Sequence, residues 1–435
     1  MSYKKNLVSN FVFQIAKISL GFGTSVIIAR ALGAEGQGRY SYLILIFGLL
    51  GSYGHLGILN ATTFFQKRSD FASTDVFSTN MIYSIINALV LTLVVWFLKA
   101  NKLFLADYQD WILTFGLFYI VLTYIQVLLT SFYVGDERIH KSNVYLFYGN
   151  LLYLVLLFIL FAFGKLSVGT IVALNIVMLA SNVTLLLVNL GLNFKPAINF
   201  ALLKAEFKYG VVLYFASLFI FLNYRVDQFM INYSLGKTEL GIYSVGVRLA
   251  ELLFLIPDSV NSALIGRLYN IKMDDTASQK SVLIKTTKYN FYATLILLVV
   301  GILLVPLVPY VYGESFSRVK QVIVLLFIGI AFASIARVSY SYFISKGKPF
   351  VHLYITALTL STNIVLNLVF IPIWGINGAA LASTISYTVY GLSYLIVFKI
   401  IEGIPFMDFF YMSKEEIREL ANLFKGKIMK NSRRG

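Results

Sequence analysis

Twelve long apolar runs dominate the sequence, and each is about 20 residues or more in length. A run of that length can cross the hydrocarbon core of a bilayer as a helix, which satisfies its own backbone hydrogen bonds. A membrane β-barrel would instead show strict alternation of apolar and polar residues. The sequence therefore predicts an all-α polytopic membrane protein with about twelve transmembrane helices. The predicted spans are 8–30, 41–65, 77–98, 111–134, 143–163, 168–190, 209–234, 242–266, 289–312, 319–345, 350–371 and 377–400.

The composition excludes several classes of protein. Apolar residues make up 58% of the 435-residue chain and charged residues 13%, and the mean hydropathy is +0.78. Soluble domains are about 45–50% apolar and about 25% charged, so a soluble enzyme, a disordered chain and a nucleic-acid-binding protein are excluded. The chain has no Cys, and its three His are far apart in sequence. We therefore predict no disulfide, no metal site and no cofactor.

The distribution of basic residues predicts the orientation in the membrane. The formal net charge is +16, and Lys and Arg collect in the cytoplasmic loops of membrane proteins. With a cytoplasmic N-terminus, sixteen basic residues fall in loops on the cytoplasmic side and eight on the other side, and the tail from Lys399 adds eight more. We predict a multi-pass protein of the inner (plasma) membrane with both termini in the cytoplasm.

A long polar connection over about 191–208 divides the spans into two sets of six. We predict an N-terminal lobe over 1–195, a cytoplasmic linker over 196–208 and a C-terminal lobe over 209–402. The segment 411–435 is predicted to form an amphipathic basic helix on the anionic inner leaflet, because Ser413 and Glu416 are spaced as a capping box and apolar residues follow at helical spacing. A solvated tail is the alternative for this last segment.

An internal repeat supports the division into two lobes, because five residues recur at a constant offset of 203 positions. Both copies lie in the loop that joins the first two spans of a lobe. Since each lobe has an even number of spans, the lobes are predicted to be related by a pseudo-two-fold axis along the membrane normal. The paired residues are Leu32 and Leu235, Gly33 and Gly236, Gly38 and Gly241, Tyr40 and Tyr243, and Ser41 and Ser244.

Ionisable residues within the predicted spans are the candidates for a functional site. Each costs about 2.5–3.5 kcal/mol on membrane-insertion scales, so such residues normally face a bundle interior or a water-filled cavity. Asp258, beside Pro257, is interpreted as a helix-end feature rather than as part of a site. Leaving His aside, the residues are Lys17, Arg225, Asp227, Arg248, Glu251, Asp258 and Arg337.

A polar face on the first span favours a cavity at this position. Gln14, Lys17 and Thr24 follow the rhythm of one helix face, and such a stripe lines a wet cavity or pairs with a neighbouring helix. A purely structural reading of the charges stays open as well. Arg248 and Glu251 stand at i and i+3, which is a spacing at which two side chains neutralise each other.

Short motifs are distributed along nearly the whole chain. The motifs are Ala31-Leu32-Gly33, Gly38 and Tyr40, Arg225-Val226-Asp227-Gln228, Leu235-Gly236, Gly241-Ile242-Tyr243-Ser244, Arg248-Leu249-Ala250-Glu251, Gly347-Lys348-Pro349, Asn363, Asn367, Ile371-Pro372, and Gly375 to Ala380. With these motifs the chain resembles a known family of membrane proteins, the O-antigen and polysaccharide repeat-unit flippases (Wzx-type), which belong to the multidrug/oligosaccharidyl-lipid/polysaccharide exporter (MOP) superfamily. The resemblance is most specific in the middle stretch from Arg225 to Glu251.

The resemblance implies two six-helix lobes around a central cavity, alternating access, and a transporter rather than an enzyme. It implies as substrate an undecaprenyl-pyrophosphate-linked oligosaccharide, which moves from the inner to the outer leaflet. The expected partners are this glycolipid, membrane lipids, and the polysaccharide polymerase and chain-length machinery, with no nucleic acid. No complete phosphate-binding loop motif occurs in the sequence, so gradients or the membrane potential are expected to power transport.

A substrate with a pyrophosphate needs cations in a hydrated cavity, because an unpaired anion in hydrocarbon costs tens of kcal/mol in the Born limit. Lys17 and Arg337 are predicted to receive the pyrophosphate, and Arg225 and Arg248 to hold it after the lobes rock. Gln14 is predicted as a neighbouring contact for sugar or phosphate. The remaining candidates, with a predicted role in coupling to protons or Na⁺, are Asp227 and Glu251.

Two other functions stay open at the level of the sequence. A drug/cation antiporter of the same superfamily would favour a buried carboxylate site without compensating basic residues, whereas four basic and three acidic residues lie within the spans here. A membrane-embedded polysaccharide polymerase or ligase would carry a sizeable outer loop for catalysis, and no predicted outer loop is that large.

Overall fold

In a computed structural model, the chain forms a bundle of helices. The structure describes residues 3–68, 70–192, 194–272, 275–416 and 418, and no strand occurs among them. Short 3-10 helices at Glu251–Phe254 and Val305–Leu307 interrupt two of the long helical segments. The α-helices are Tyr3–Tyr53, Ile58–Arg68, Ser73–Ala100, Asp110–Gly135, Ile139–Ala162, Val168–Leu190, Phe200–Ser234, Lys237–Ala250, Leu255–Asn270, Thr276–Leu304, Val308–Tyr312, Val319–Ser345 and Pro349–Val397.

The number of membrane crossings follows from the length and the bends of these helices. Within the described residues, nine helices are long and apolar enough to cross a membrane, or ten when Phe200–Val211 and Tyr214–Ser234, bent by 52° at their junction, are taken as one crossing. Two of the helices fold back on themselves and cross twice. The described residues therefore make twelve crossings, and the predicted all-α polytopic fold is confirmed.

Both fold-backs occur at a glycine with a positive φ, a conformation that costs other residues energy. A straight helix over Tyr3–Tyr53 would be about 76 Å long, but it turns at Gly33 (φ +64°), and Leu20 and Ile44 on either side of this turn line one cavity. Pro349–Val397 turns likewise at Gly375 (φ +58°). There the Asn363 amide donates a hydrogen bond of 2.9 Å to the hydroxyl of Ser386, 23 residues away in sequence.

We number the spans in chain order. Because successive spans alternate in direction, the start of the first span at Tyr3, the connecting residues Leu192 and Asn199, and residue 403 lie on one face of the bundle, the terminal face. The turns at Gly33, Gly236 and Gly375 lie on the other, the opposite face. The spans are 3–32, 34–68 with a break at 54–57, 73–100, 110–135, 139–162, 168–190, 200–234, 237–270, 276–312, 319–345, 349–374 and 376–397.

The two copies of the repeat meet face to face. Gly33 (φ +64°, ψ −174°) and Gly236 (φ +86°, ψ −174°) share one backbone conformation. Gly38 packs against the Lys237 backbone, and Gly241 packs in the same way against the Ala34 backbone. Ala34 is the equivalent of Lys237 at the offset of 203 positions, as Gly38 is of Gly241. When two residues, one from each lobe, form a contact, and the two equivalent residues of the opposite lobes form the same contact, the lobes are related by a two-fold axis. The predicted pseudo-two-fold relation between the lobes is confirmed.

The linker and the tail both lie on the terminal face. Asn199 caps the seventh span by accepting a hydrogen bond of 3.0 Å from the Leu202 backbone N–H, so the second half of the predicted linker 196–208 is helical. In the tail, Ser413 and Glu416 form the predicted capping box, with hydrogen bonds of 2.9 and 3.1 Å. The Glu416 carboxylate also pairs with Lys288 at 3.0 Å. Residues 417 and 419–435, which carry most of the predicted amphipathic helix, lie outside the described residues.

Candidate functional site

The lobes are in close contact near the opposite face. Besides the crossing at Gly38 and Gly241, the Ser41 and Ser244 hydroxyls share a hydrogen bond of 2.9 Å. The Lys237 ammonium lies 4.0 Å from the centre of the Tyr42 ring, a cation–π contact between the lobes. We call this set of contacts the opposite-face seal. It closes the space between the lobes on that side.

A cavity of about 910 Å³ lies between the lobes on the terminal-face side of this seal. We call it the central cavity. It reaches within about one helical turn of the terminal-face ends of several spans, as Ser131, Ile344 and His352 in its wall show. Its charged wall residues all belong to the C-terminal lobe and are Arg225, Glu251, Asp258 and Arg337.

Arg225 on the seventh span and Glu251 on the eighth form a two-pronged ion pair. The Nη1 and Nη2 atoms of Arg225 donate to the two carboxylate oxygens of Glu251 at 2.6 and 2.9 Å. About a quarter of each side chain is exposed. Such parallel hydrogen bonds are the strongest arrangement of a guanidinium and a carboxylate. The pairing of Glu251 with Arg248, left open from the sequence, is not the one that forms.

Arg337 on the tenth span forms the second ion pair of the central cavity. Its Nη1 atom donates to both oxygens of Asp258 at 2.7 and 2.8 Å, and its Nε atom donates to the Tyr224 hydroxyl at 3.2 Å. The guanidinium also lies over the Phe254 ring at 3.8 Å. Asp258 does lie at a helix end, in the first turn of Leu255–Asn270, and its carboxylate also neutralises an arginine inside the cavity.

Lys17 and Arg248 lie in a second cavity of about 500 Å³, formed mainly by the first, fifth, sixth and eighth spans. We call it the side cavity. Both side chains are exposed, and neither has a hydrogen bond or an ion pair among the described side chains. Asn150, Tyr153 and Asn175 add polar groups to the same wall. Among the described residues, no carboxylate neutralises these two cations of the side cavity.

A narrow space of about 170 Å³ lies between the two cavities. It shares Arg225 and Glu251 with the central cavity, and Tyr40 and Arg248 with the side cavity. The four basic residues therefore line a row of adjacent cavities. In this conformation Lys17 and Arg337 lie in different cavities, so the structure does not bring together the pair that was predicted to receive the pyrophosphate.

Asp227 lies apart from these cavities. Its carboxylate is buried within the C-terminal lobe and accepts hydrogen bonds from the Tyr243 hydroxyl, the Ser383 hydroxyl (2.8 Å) and the Gln228 backbone N–H (2.7 Å). Of the two predicted coupling residues, only Glu251 faces a cavity. The Gln14 side chain lies outside the described part of the chain.

Asp258 and Tyr224 are the cavity residues that sequence reasoning missed. The balance of charge within the spans could have identified Asp258. Arg337 needs an acidic partner within the membrane, and Asp258 was the carboxylate that had no predicted role. In the described residues, no group of three or more His, Cys, Asp or Glu side chains has the geometry to hold a metal ion. The chemistry that the site offers is the binding of an anion by open cations and the exchange of ion-pair partners.

These features define a polytopic membrane protein with the two-lobe transporter fold. The chain matches the model of a family described as polysaccharide biosynthesis protein over residues 27–321. Because this match spans more than half of the chain, the protein belongs to that polysaccharide biosynthesis family. No curated protein matches the chain in a sequence comparison.

Solved structures support the fold. The lipid II flippase MurJ in an inward closed conformation is similar with a TM-score of 0.72 and 15% identity, over 97% of this chain and 92% of that one. A MATE family transporter of the MOP superfamily in its inward-facing conformation follows at 0.69 and 13%, over 90% and 98%. An outward-facing structure of such a transporter scores 0.61 at 14% identity, over 91% and 94%. The fold is that of the MOP superfamily, as the sequence motifs indicated.

Proposed function

We propose that this protein moves an undecaprenyl-pyrophosphate-linked oligosaccharide repeat unit, of the kind used for O-antigen or related polysaccharides, across the membrane by alternating access. The protein acts as a transporter and catalyses no covalent chemistry. The observation that carries the proposal is the side cavity with Lys17 and Arg248, two cations that have no carboxylate partner in the described part of the chain. Membership in a polysaccharide biosynthesis family supports the choice of a glycan substrate.

The arrangement of charges suits a lipid-linked anion. A pyrophosphate without partners would cost tens of kcal/mol in hydrocarbon, and each unpaired sugar hydroxyl several more. We propose that Lys17 and Arg248 bind the pyrophosphate, while the larger central cavity receives the sugars. Arg225 and Arg337 are held by Glu251 and Asp258 in this state and become available to the anion when the lobes move.

We propose that the terminal face is cytoplasmic and that the protein resides in the inner (plasma) membrane, as the loop charges predict. In this orientation the central cavity faces the cytoplasm, and the substrate enters from the inner leaflet. Outward movement of negative charge is downhill in an inside-negative potential by about 2.3 kcal/mol per charge per 100 mV. The TM-score is higher with the inward-facing transporter than with the outward-facing one, which supports a central cavity that faces the cytoplasm.

We propose that either Glu251 or Asp227 couples transport of the substrate to the movement of protons or Na⁺. Glu251 is the more direct candidate, because it faces the central cavity and holds Arg225. Protonation of this carboxylate would free the guanidinium for the substrate. If imposed pH and Na⁺ gradients leave the flipping rate in vesicles unchanged, neither carboxylate couples transport to an ion.

The proposal is tested in proteoliposomes with a fluorescent polyprenyl-diphosphate oligosaccharide, by the rate at which it becomes accessible on the far leaflet. Lys17→Gln and Arg248→Gln each remove a charge-assisted contact worth about 1.5–3 kcal/mol. We therefore expect transport efficiency to fall by about ten- to a hundredfold. Lys165→Gln, an exposed residue outside the cavities, is the matched control. Wild-type rates in both cavity variants would refute this assignment of the anion site.

A second experiment identifies the glycan. Deletion of the gene is expected to cause one lipid-linked oligosaccharide to accumulate in the inner leaflet, where its headgroup stays inaccessible to reagents outside the cell. The structure of that glycolipid defines the repeat unit. If no lipid-linked glycan accumulates, the protein acts on another class of substrate, and a cationic drug becomes the first candidate.

A further inference from the structure

An apolar groove of about 380 Å³ lies beside the side cavity in the half of the bundle toward the opposite face. Every side chain in its wall is apolar except Tyr312, whose hydroxyl is hydrogen-bonded to Ser25 at 3.0 Å. The eighth, ninth and tenth spans form most of the wall, and the first span contributes Phe22. We call it the apolar groove.

The groove exists because the ninth span is interrupted. Pro306 and Pro309 lack the backbone N–H that a continuous α-helix requires, and the chain there passes through a 3-10 helix into the short helix Val308–Tyr312. Val300, Leu304 and Leu307 around this break are about half exposed, so their side chains form an accessible apolar wall.

The apolar groove and the side cavity are adjacent. They share Phe22, Leu249, Leu252 and Tyr312 as wall residues. A molecule with an anionic group at Lys17 and Arg248 therefore has a hydrocarbon-lined space directly beside that group. A charged head next to a long apolar chain is the chemistry of a lipid-linked anion, whereas a soluble anion would leave the groove without a ligand.

We propose that the apolar groove binds the first isoprene units of the polyprenyl chain, next to the pyrophosphate, while the pyrophosphate lies in the side cavity. This inference rests on the proposed function and extends it to the lipid part of the substrate. Lipid tails are as apolar as leucine, so the groove gains little hydrophobic energy over the bilayer. Its contribution comes from packing, and it fixes the position of the chain relative to the cations.

Two adjacent leucines provide a matched pair of variants. Leu304 lies in the groove wall and is 54% exposed, whereas Leu303 is 72% exposed and lies outside the groove. Leu304→Trp fills the groove, and Leu303→Trp adds the same bulk on the neighbouring residue without filling it. Neither change removes a buried core side chain, so both variants are expected to fold.

The variants are compared in the flipping assay with two substrates that carry the same sugar diphosphate on a long (C55) or a short (C10) polyprenyl chain. We expect Leu304→Trp to raise the half-saturating concentration of the long substrate by about tenfold, or about 1.4 kcal/mol, within the usual cost of overpacking. The short substrate consists of the first two isoprene units, which occupy the same groove, so its half-saturating concentration is expected to rise by a similar factor. Equal behaviour of both variants with the long substrate would overturn the proposal.

Photo-crosslinking of the wild-type protein gives an independent test. A diazirine on the second isoprene unit of the long substrate is expected to label peptides from 297–312, and excess unlabelled substrate should remove the label. Removal of the label by excess phosphatidylglycerol alone would mean that the groove takes any acyl chain, which contradicts the proposal. The outcome is distinct from failure of the proposed function, because flipping by the wild-type protein is measured separately.

Discussion

The close crossing of the second and eighth spans gives the sharpest test of alternating access. A Cβ atom added at Gly38 would lie 2.6 Å from the Lys237 carbonyl carbon and 2.9 Å from the Gly241 nitrogen. Ordinary van der Waals contacts of a Cβ begin at about 3.4 Å. Both obstacles are backbone atoms and cannot move aside as a flexible side chain would. The added Cβ would also overlap the Lys237 carbonyl oxygen, so the Gly38→Ala substitution forces the two spans apart by about 1.5 Å.

The cost of such overpacking is about 1–3 kcal/mol, and it falls only on the state in which the opposite-face seal is closed. The equilibrium should shift toward the open seal by about 5- to 150-fold. Gly241→Ala should act in the same way, because its Cβ would lie 2.8 Å from the Gly38 nitrogen. Transport should slow in both variants, because the protein then spends a larger part of the transport cycle in one conformation.

The chain has no Cys, so a Cys introduced at a chosen position is the only site that a thiol-specific spin label modifies. Labels at Glu35 and Glu314, both exposed near the opposite face, report the distance between the lobes by pulsed electron spin resonance. Gly38→Ala should lengthen and broaden this distance. Gly23→Ala, where the added Cβ meets only an ordinary contact at 3.7 Å, is the matched control. Identical distance distributions in the two variants would refute the reasoning.

The remaining predictions concern three carboxylates. Glu251→Gln leaves Arg225 unpaired and should lower the free energy of unfolding by about 3 kcal/mol, measured as a lower Tm. The additional substitution Arg225→Gln should restore part of this loss. Strictly additive losses in the double variant would contradict the ion pair. Burial acts to raise the pKa of Asp136, but hydrogen bonds from Lys67 and Arg138 lower it below the usual range. Asp136→Asn should therefore cost about 1 kcal/mol at neutral pH, and the deficit should shrink as the pH falls below about 4 and vanish only below the lowered pKa of Asp136, as acid unfolding curves would show. Asp227→Asn should leave any dependence of flipping on a Na⁺ or pH gradient unchanged, because Asp227 lines none of the three polar cavities; loss of the dependence would assign coupling to Asp227 instead of Glu251.

The fold was predictable because its causes are local. Hydrocarbon leaves a long apolar run no alternative to a helix, and a glycine at a turn needs only its own positive φ. Gly33 and Gly236 could thus be paired from the sequence, and their common conformation confirms the repeat. The face-to-face contact of Gly38 and Gly241 follows from the same symmetry once the two lobes are placed side by side.

The partners of the charged residues were harder to predict, because they depend on how distant spans pack. Glu251 lies three residues from Arg248, yet it pairs with Arg225 on another span, where two parallel hydrogen bonds are available. Asp258 pairs with Arg337, 79 residues further along the chain. Spacing along one helix identifies which residues share a face, but it gives no information about the helix that this face meets.

The most direct test of the account is the flipping activity of the wild-type protein itself. Purified protein is placed in vesicles with a fluorescent polyprenyl-diphosphate oligosaccharide, and a membrane-impermeant quencher reports which leaflet holds the label. The account predicts exchange between the leaflets far above that of protein-free vesicles, with no acceleration for a fluorescent phosphatidylcholine. Equal rates with and without protein, or equal acceleration of both lipids, would contradict it.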